Sequence, residues 1–496
     1  WEYLKSAIDR MDSAASFLRT LAVNAAFLLT FAVVLPLIAI ELVQSRAIIE
    51  PISVPGDIAT LGLTSDVAAN RLWDGLADAA QSARTDKRQL AVLPSSRRIQ
   101  FEFPDAGLSF DSLIHHVRRF LGLTDTRIGG EFVCESAPCS RETMRLRIRI
   151  VTGQTVAIDL PPVGAQSDRA YFKTAALAVL GELDPFVAAA AQIDSAPDLA
   201  MTRLRRIVAS GHPDAEWAQN LIGLAAMKQT KTAEALRAFD AALAIDSNHL
   251  PALVNKSLLL SQTGDAAGAE KTASLAAAIA PRDWRPWMAR AEAAFAKGDS
   301  QAALSYLDQA AAADPSSPWP LVRKGLATMD GPLAEAAFRA ALDRDPDTVE
   351  AHVGLAALAA RKQDYAQAVA VYRNIVRLQP DDPKAHTAAA GFHVLAGQRT
   401  EAIAEYRRAL ELAPQDGIVM HRLAQLLRDA GELAEAEALL LQAVAQVPAA
   451  LFDLGGTLQR AGQSARARDA YVQFLAKEPD SPYRPIAEAQ LKRLSN

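Results

Sequence analysis

The feature that most constrains this chain is a proline that recurs about every 34 residues through its second half. The recurring positions are Ser247, which stands where a proline is expected, and Pro281, Pro315, Pro346, Pro380, Pro414, Pro448 and Pro479. Successive intervals are 34, 34, 31, 34, 34, 34 and 31 residues. Proline can end a helix but cannot continue it, and it disfavours the helical conformation of the residue before it. The period therefore predicts a two-helix unit that stacks on its copies to form a solenoid.

Small and large apolar residues recur in phase with these prolines, twelve, eight and five residues before each one. The sets are Ala235, Phe239 and Ala242; Ala269, Ala273 and Ala276; Ala303, Leu307 and Ala310; Ala334, Phe338 and Ala341; Ala368, Tyr372 and Ile375; Ala402, Tyr406 and Ala409; Ala436, Leu440 and Ala443; and Ala467, Tyr471 and Phe474. Spacings of four and three place each set on one face of a helix. Gly223, Gly325 and Gly455 occur in first helices, where close packing excludes a side chain.

This pattern resembles the tetratricopeptide repeat (TPR) family, and the resemblance covers about residues 182–481. It implies a mainly α fold built around a right-handed α-solenoid of TPR helix pairs. We expect connecting helices and a degenerate first repeat at 165–215, about eight repeats across 216–481, and a capping helix at 483–496 that shields the end of the array from solvent.

Residues 20–43 are nearly all apolar, and no charged residue occurs between Leu21 and Ile40. A helix of this length, at ~1.5 Å per residue, spans the ~30 Å hydrocarbon layer. We therefore expect a transmembrane helix, preceded by an amphipathic juxtamembrane helix at 1–19. A cleaved signal peptide and a buried core helix are the alternatives. Basic residues are more frequent before the apolar stretch than after it, which favours a single-pass protein of the cytoplasmic (inner) membrane with a cytoplasmic N-terminus and a periplasmic bulk.

Residues 46–163 predict a small α+β domain, because turn residues and alternating apolar runs are common there. The predicted elements are an extended segment at 46–54, helices at 64–83 and 109–121, and strands at 89–93, 98–103, 127–133, 143–151 and 154–160. The run MRLRIRI alternates strictly, which is typical of a sheet with one solvated face.

The chain has two cysteines, Cys134 and Cys139, which lie between predicted strands. In an oxidising compartment they predict a disulfide that closes a short loop. Half of a zinc site is the alternative, with His115 and His116 as candidate further ligands, but a second ligand pair at a suitable spacing is missing.

The sequence contains none of the motifs that identify common catalytic sites. It has no P-loop, no dinucleotide glycine fingerprint, no serine-hydrolase elbow, no HExxH and no haem-attachment motif. A net charge of −5 argues against a nucleic-acid-binding chain. His352 and His386 occupy equivalent positions in successive repeats, so we weigh a metal or haem cluster against a packing role in place of an aromatic residue. We predict a binding protein, not an enzyme, without a metal or cofactor.

The resemblance to TPR proteins implies that the first helices of the repeats line a groove for a peptide. By repeat position, the apolar part of this groove comprises Trp217, Asn220, Leu224, Met227, Val254, Leu258, Met288, Phe295, Trp319, Val322, Leu326 and Met329. A basic part comprises Arg361, Lys384, His421, Gln425 and Arg428. A partner segment with an apolar half and an acidic end would suit this groove. The alternative is that many of the apolar residues pack between repeats or under the middle domain.

Three functions from different classes are open. The first is a membrane-anchored periplasmic TPR scaffold that binds or assembles partner proteins of an envelope complex and touches the bilayer through residues 20–43. The second is the extracytoplasmic sensor half of a transmembrane signalling protein whose output domain lies upstream of Trp1. The third is an enzyme in the 46–163 domain, for which no nucleophile and base are paired in the sequence. A purely structural role in a stacked homo-oligomer is also open.

Overall fold

The computed structural model describes residues 46–60, 62–87, 91–94, 126–134, 139–152, 154–328 and 331–495, together with the single positions 24, 32 and 120. Apart from those single positions, the predicted helices 1–19, 20–43 and 109–121 and the predicted strand 98–103 lie outside the described residues. Within the described part of the chain, no helix combines the length and apolar character that a membrane crossing requires. The chain divides into two compact units, Trp1–Ala252 and Leu253–Asn496.

The first unit is built on a five-stranded mixed sheet in the order β2-β1-β3-β4-β5. The strands are β1 (Arg46–Ser53), β2 (Ala91–Pro94), β3 (Thr126–Val133), β4 (Arg145–Val151) and β5 (Thr155–Pro162). β1 pairs in parallel with β2 and β3, whereas β3, β4 and β5 are antiparallel. The strict alternation predicted for β4 is confirmed, because Leu146, Ile148 and Ile150 are buried while Arg147 and Arg149 pair with acidic side chains on the other face.

Helices α1 (Gly56–Ala59), α2 (Ser65–Ser82) and α3 (Asp168–Leu183) accompany this sheet. Thr64 caps α2 by accepting a hydrogen bond from the Val67 amide at 3.4 Å. Gly75 brings α2 and α3 close together, because a Cβ atom there would lie 2.8 Å from the Phe172 carbonyl oxygen. Tyr171 ties α3 to the sheet: its hydroxyl accepts from the Leu146 amide and donates to the Pro161 carbonyl, both at 2.9 Å.

Cys134, at the end of β3, forms a disulfide with Cys139, and their Cα atoms lie 5.5 Å apart. Both cysteines pack against the core of the first unit. The bond therefore joins the end of β3 to the segment that leads into β4.

The first unit continues as α4 (Pro185–Gln192), α5 (Pro197–Ala209), α6 (Ala215–Lys228) and α7 (Thr232–Ile245). Lys87, which follows α2, reaches both oxygens of Asp184 at 2.8 Å and Oδ2 of Asp214 at 2.7 Å. Asp184 also accepts a hydrogen bond from the Val187 amide at the start of α4. Lys87 therefore links the α/β part of the unit to its helical part. The next helix, α8 (Leu250–Gln262), runs across the boundary between the units.

The second unit consists of consecutive helix pairs. The helices after α8 are α9 (Ala266–Ile279), α10 (Trp284–Ala296), α11 (Ser300–Ala313), α12 (Trp319–Ala327), α13 (Pro332–Arg344), α14 (Val349–Arg361), α15 (Tyr365–Leu378), α16 (Pro383–Leu395), α17 (Arg399–Leu412), α18 (Gly417–Ala430), α19 (Leu433–Ala443), α20 (Ala450–Arg460), α21 (Ser464–Lys477) and α22 (Arg484–Leu494). The predicted in-phase residues are buried in every repeat, except that Tyr372 is half-buried.

The shorter intervals of 31 residues have a local explanation. The first helix of the repeat that ends at Pro346 is α12, which has nine residues, whereas α10, α14 and α16 each have 13. In the repeat that ends at Pro479, the first helix is α20, with 11 residues. The missing residues therefore shorten a first helix and leave the second-helix packing face intact.

Candidate functional site

One cavity in the second unit is formed by the first helices of two successive repeats. It has a volume of about 590 Å³ and lies between α8 and α10. Its lining includes Val254, Leu258, Met288 and Phe295, all four of which the sequence assigns to the groove. The other lining residues are Asn255, Ser261, Gln262, Trp284, Arg285, Glu292 and Ala296. These side chains recur every three or four residues, which places them on one face of each helix.

The two charged residues of this lining each have a partner in the chain. Arg285 Nη2 lies 2.5 Å from Asp283 Oδ2. Burial raises the pKa of the Asp283 carboxyl, but its hydrogen bonds and attraction to Arg285 outweigh burial and hold that pKa below its ordinary value. Glu292 accepts two hydrogen bonds from Arg323, at 2.6 and 3.0 Å. The guanidinium carbon of Arg323 also lies 4.5 Å from the ring centroid of Phe295.

The next first helix, α12, carries two exposed apolar side chains. Trp319 is 42% and Leu326 is 48% exposed. Val322 instead is buried in a cluster with Phe338, so its side chain packs between helices and is not free to bind a partner. Met329 lies outside the described residues.

The predicted groove residues of the first unit lie on α6 and are largely used for packing. Trp217 contacts the ring of Phe186, with centroids 6.1 Å apart, and the ring of His249, with centroids 4.6 Å apart. Asn220 is buried, and Leu224 and Met227 are half-buried. For Trp217 and Asn220 the structure therefore favours the alternative that the sequence leaves open, a packing role.

The predicted basic part of the groove contains a buried acid. Asp453 on α20 accepts hydrogen bonds from His421 Nε2 at 2.7 Å and Gln425 Nε2 at 2.9 Å, and it forms an ion pair with Arg428. Burial raises the pKa of Asp453, but these three donors together hold it below the ordinary value. His421 and Arg428 are therefore engaged within the chain, which argues against an acidic partner binding to them.

Sequence reasoning missed Asp453, which lies in the first helix of the last, shortened repeat. A signal was available: a lone carboxylate in the apolar stretch ALFDLGG requires a buried partner. The two remaining basic residues, Arg361 and Lys384, are exposed, and Arg361 has an interaction partner in the chain.

His352 and His386, at equivalent positions in successive repeats, each form a hydrogen bond to the turn that precedes their helix. His352 Nε2 lies 3.0 Å from the Pro346 carbonyl oxygen, and His386 Nε2 lies 3.0 Å from that of Pro380. Trp287 makes the same bond to Pro281, at 3.0 Å. The two histidines therefore occupy the repeat position that the aromatic residue Trp287 occupies in an earlier repeat. In the described residues, no group of three or more histidine, cysteine, aspartate or glutamate side chains is arranged to hold a metal ion.

Comparison with known proteins identifies the repeated unit. Family models described as tetratricopeptide repeats match residues 220–283, 254–318, 330–383, 393–452 and 449–481. No curated protein matches the chain.

Several solved structures are similar to parts of the chain. YrrB, described as a TPR protein with an unusual peptide-binding site, is 18% identical over 37% of this chain and 97% of its own, with a TM-score of 0.34. The C-terminal part of a TPR repeat-containing protein from Cytophaga hutchinsonii is 15% identical over 48% of this chain and 99% of its own, with a TM-score of 0.41. MamA from Desulfovibrio magneticus RS-1 is 19% identical over 33% of this chain and 93% of its own, with a TM-score of 0.29.

Proposed function

The chain is a tetratricopeptide repeat protein, and we propose that it acts as a scaffold that docks a segment of a partner protein between α8 and α10. The observation that carries the proposal is the apolar cavity lined by Val254, Leu258, Met288 and Phe295. A concave, mostly apolar site with a few polar groups is the usual form of a binding site.

The first helix of the next repeat, α12, also exposes apolar side chains. Trp319 and Leu326 expose a large part of their side chains on α12. Burial of apolar surface contributes about 25 cal/mol per Å², so one well-seated leucine-sized side chain contributes about 2 kcal/mol. Binding energy of this kind is concentrated in a few anchor residues, and the cavity offers a place for one of them.

Site-specific photo-cross-linking in the full-length chain tests the docking site. Benzoylphenylalanine in place of Leu258, which lines the cavity, should trap a partner in living cells. The same group in place of Leu275, which is 49% exposed on α9 and does not line the cavity, is the matched control. Met288→Asp should abolish the cross-link from position 258, whereas Leu275→Asp should leave it intact. Equal trapping at both positions, or a cross-link that survives Met288→Asp, would refute the docking site.

We further propose that residues 20–43 anchor the scaffold in the cytoplasmic membrane and that the repeats lie in the periplasm, where they assemble an envelope complex. Two features support this location: the long stretch without charge and the bond between Cys134 and Cys139, since disulfides persist in oxidising compartments. Alkaline phosphatase fused after Asn496 should be active, because it folds only outside the cytoplasm. An inactive phosphatase together with a fluorescent C-terminal green fluorescent protein fusion would refute the periplasmic location.

A further inference from the structure

The cavity between α8 and α10 offers a partner mainly apolar contact surface. Val254 and Leu258 project from α8, while Trp284, Met288 and Phe295 project from α10. Met288 adds adaptability, because its unbranched side chain can adjust to differently shaped partners.

The charges of the cavity are already satisfied within the chain. Arg285 donates hydrogen bonds to the Asp283 carboxylate on the same turn. Glu292 accepts hydrogen bonds from Nε and Nη2 of Arg323. A partner cation would have to compete for Glu292 with Arg323, which also covers Phe295. Displacing one member of such a half-buried pair leaves the other charge without its partner, and this is costly.

Resting on the proposed docking function, we propose that the cavity selects a partner segment by an uncharged aliphatic or aromatic anchor residue, and that the flanking partner residues need no charge. Arg285 is paired with Asp283, and Glu292 is paired with Arg323. The cavity therefore presents no unpaired charge to a ligand. Binding should therefore depend little on salt, because screening weakens only interactions between charges.

Selection of short random peptides displayed on phage against the full-length chain tests this specificity. We expect recovered peptides to share bulky apolar residues without enrichment of Asp, Glu, Lys or Arg. Their Kd should change by less than about twofold between ~0.05 and ~0.5 M salt. Their binding should be lost in Met288→Asp and kept in Leu275→Asp.

Changing the internal pairs should change the specificity in a defined direction. Arg323→Met leaves Glu292 unpaired at the cavity, so selection should shift to peptides with Lys or Arg. Glu292→Gln leaves Arg323 unpaired, so selection should shift to peptides with Asp or Glu. Arg290→Met is the matched control, because Arg290 lies on the same helix and pairs with Glu270 at 2.8 Å but does not line the cavity. It should leave the apolar preference unchanged.

The possible failures separate the two proposals. If wild-type protein selects charged, salt-sensitive peptides whose binding is lost in Met288→Asp, the docking site stands and the neutral-anchor inference is refuted. If neither Arg323→Met nor Glu292→Gln changes the selected peptides while both variants remain folded by circular dichroism, the role of internal pairing is refuted. If no recovered peptide depends on Met288, both proposals fail.

Discussion

Phe338 fills the space that a side chain at Gly325 would need: a Cβ atom on Gly325 would lie 2.6 Å from Phe338 Cε1. The same ring also contacts Gly354 on the following first helix. Phe338 is fully buried, so its ring has no free space into which to retreat. Glycine at position 325 is therefore a packing requirement between α12 and α13.

Gly325→Ala should destabilise the protein by about 1–3 kcal/mol, the usual cost of overpacking a tight core. Gly391→Ala is the matched control, because Gly391 also lies in a first helix but a Cβ atom added there would meet open space. It should stabilise the protein by about 0.5–1 kcal/mol, since alanine is the better helix former. Urea unfolding midpoints measure both changes, and equal shifts of the same sign would contradict the packing argument.

Lys87→Met should destabilise the first unit. The variant leaves Asp184 and Asp214 close together without their shared cation. The Lys87 side chain is 15% exposed, so we expect a cost of about 2 kcal/mol, below the ~3–5 kcal/mol for breaking a fully buried pair. Lys228→Met removes an exposed pair with Asp194 and should leave the thermal midpoint unchanged within error. A loss of stability no larger for Lys87→Met than for Lys228→Met would show that the cluster is not a structural link.

The periodic part of the fold was predictable because each repeat buries the same face. Ala303, Leu307 and Ala310 are all buried as their spacing indicates. The partners of single groove residues were not predictable from that period. Trp217 packs against Phe186, which belongs to a helix outside the regular repeats. Asp453 on α20 pairs with Arg428 on α18, the first helix of the preceding repeat. Such contacts depend on three-dimensional neighbours that a 34-residue period does not encode.

The stability contribution of Asp453 should depend on pH. Its folded-state pKa lies below the ordinary value of 3.8, so its ionised form stabilises the fold. This contribution is fully present above the unfolded-state pKa and is lost as the pH falls through the lower, folded-state pKa. Asp453→Asn should therefore cost about 2 kcal/mol at neutral pH, and the difference from wild type should shrink below about pH 4. Urea midpoints of both proteins from neutral to acidic pH measure it, and a pH-independent difference would contradict the ionised pair.

His386 and His352 offer a comparison within one chain. Both donate from Nε2 to a proline carbonyl at 3.0 Å, but only His386 also faces a carboxylate, with Nδ1 2.6 Å from Glu405 Oε2. One repeat earlier, the residue equivalent to Glu405 is Val371. His352 therefore has no carboxylate at the repeat position that Glu405 takes beside His386.

His386→Leu should therefore cost more than His352→Leu. The His352 variant loses one neutral hydrogen bond, about 1 kcal/mol, whereas the His386 variant also loses a bond to a charged group, for a total of about 2–3 kcal/mol. In a Glu405→Gln background, His386→Leu should cost about as much stability as His352→Leu costs in the wild-type protein, because the charged partner is then absent. Urea unfolding of the four variants measures these differences. Equal costs for the two histidines would mean that Glu405 contributes nothing to holding α16 against α17.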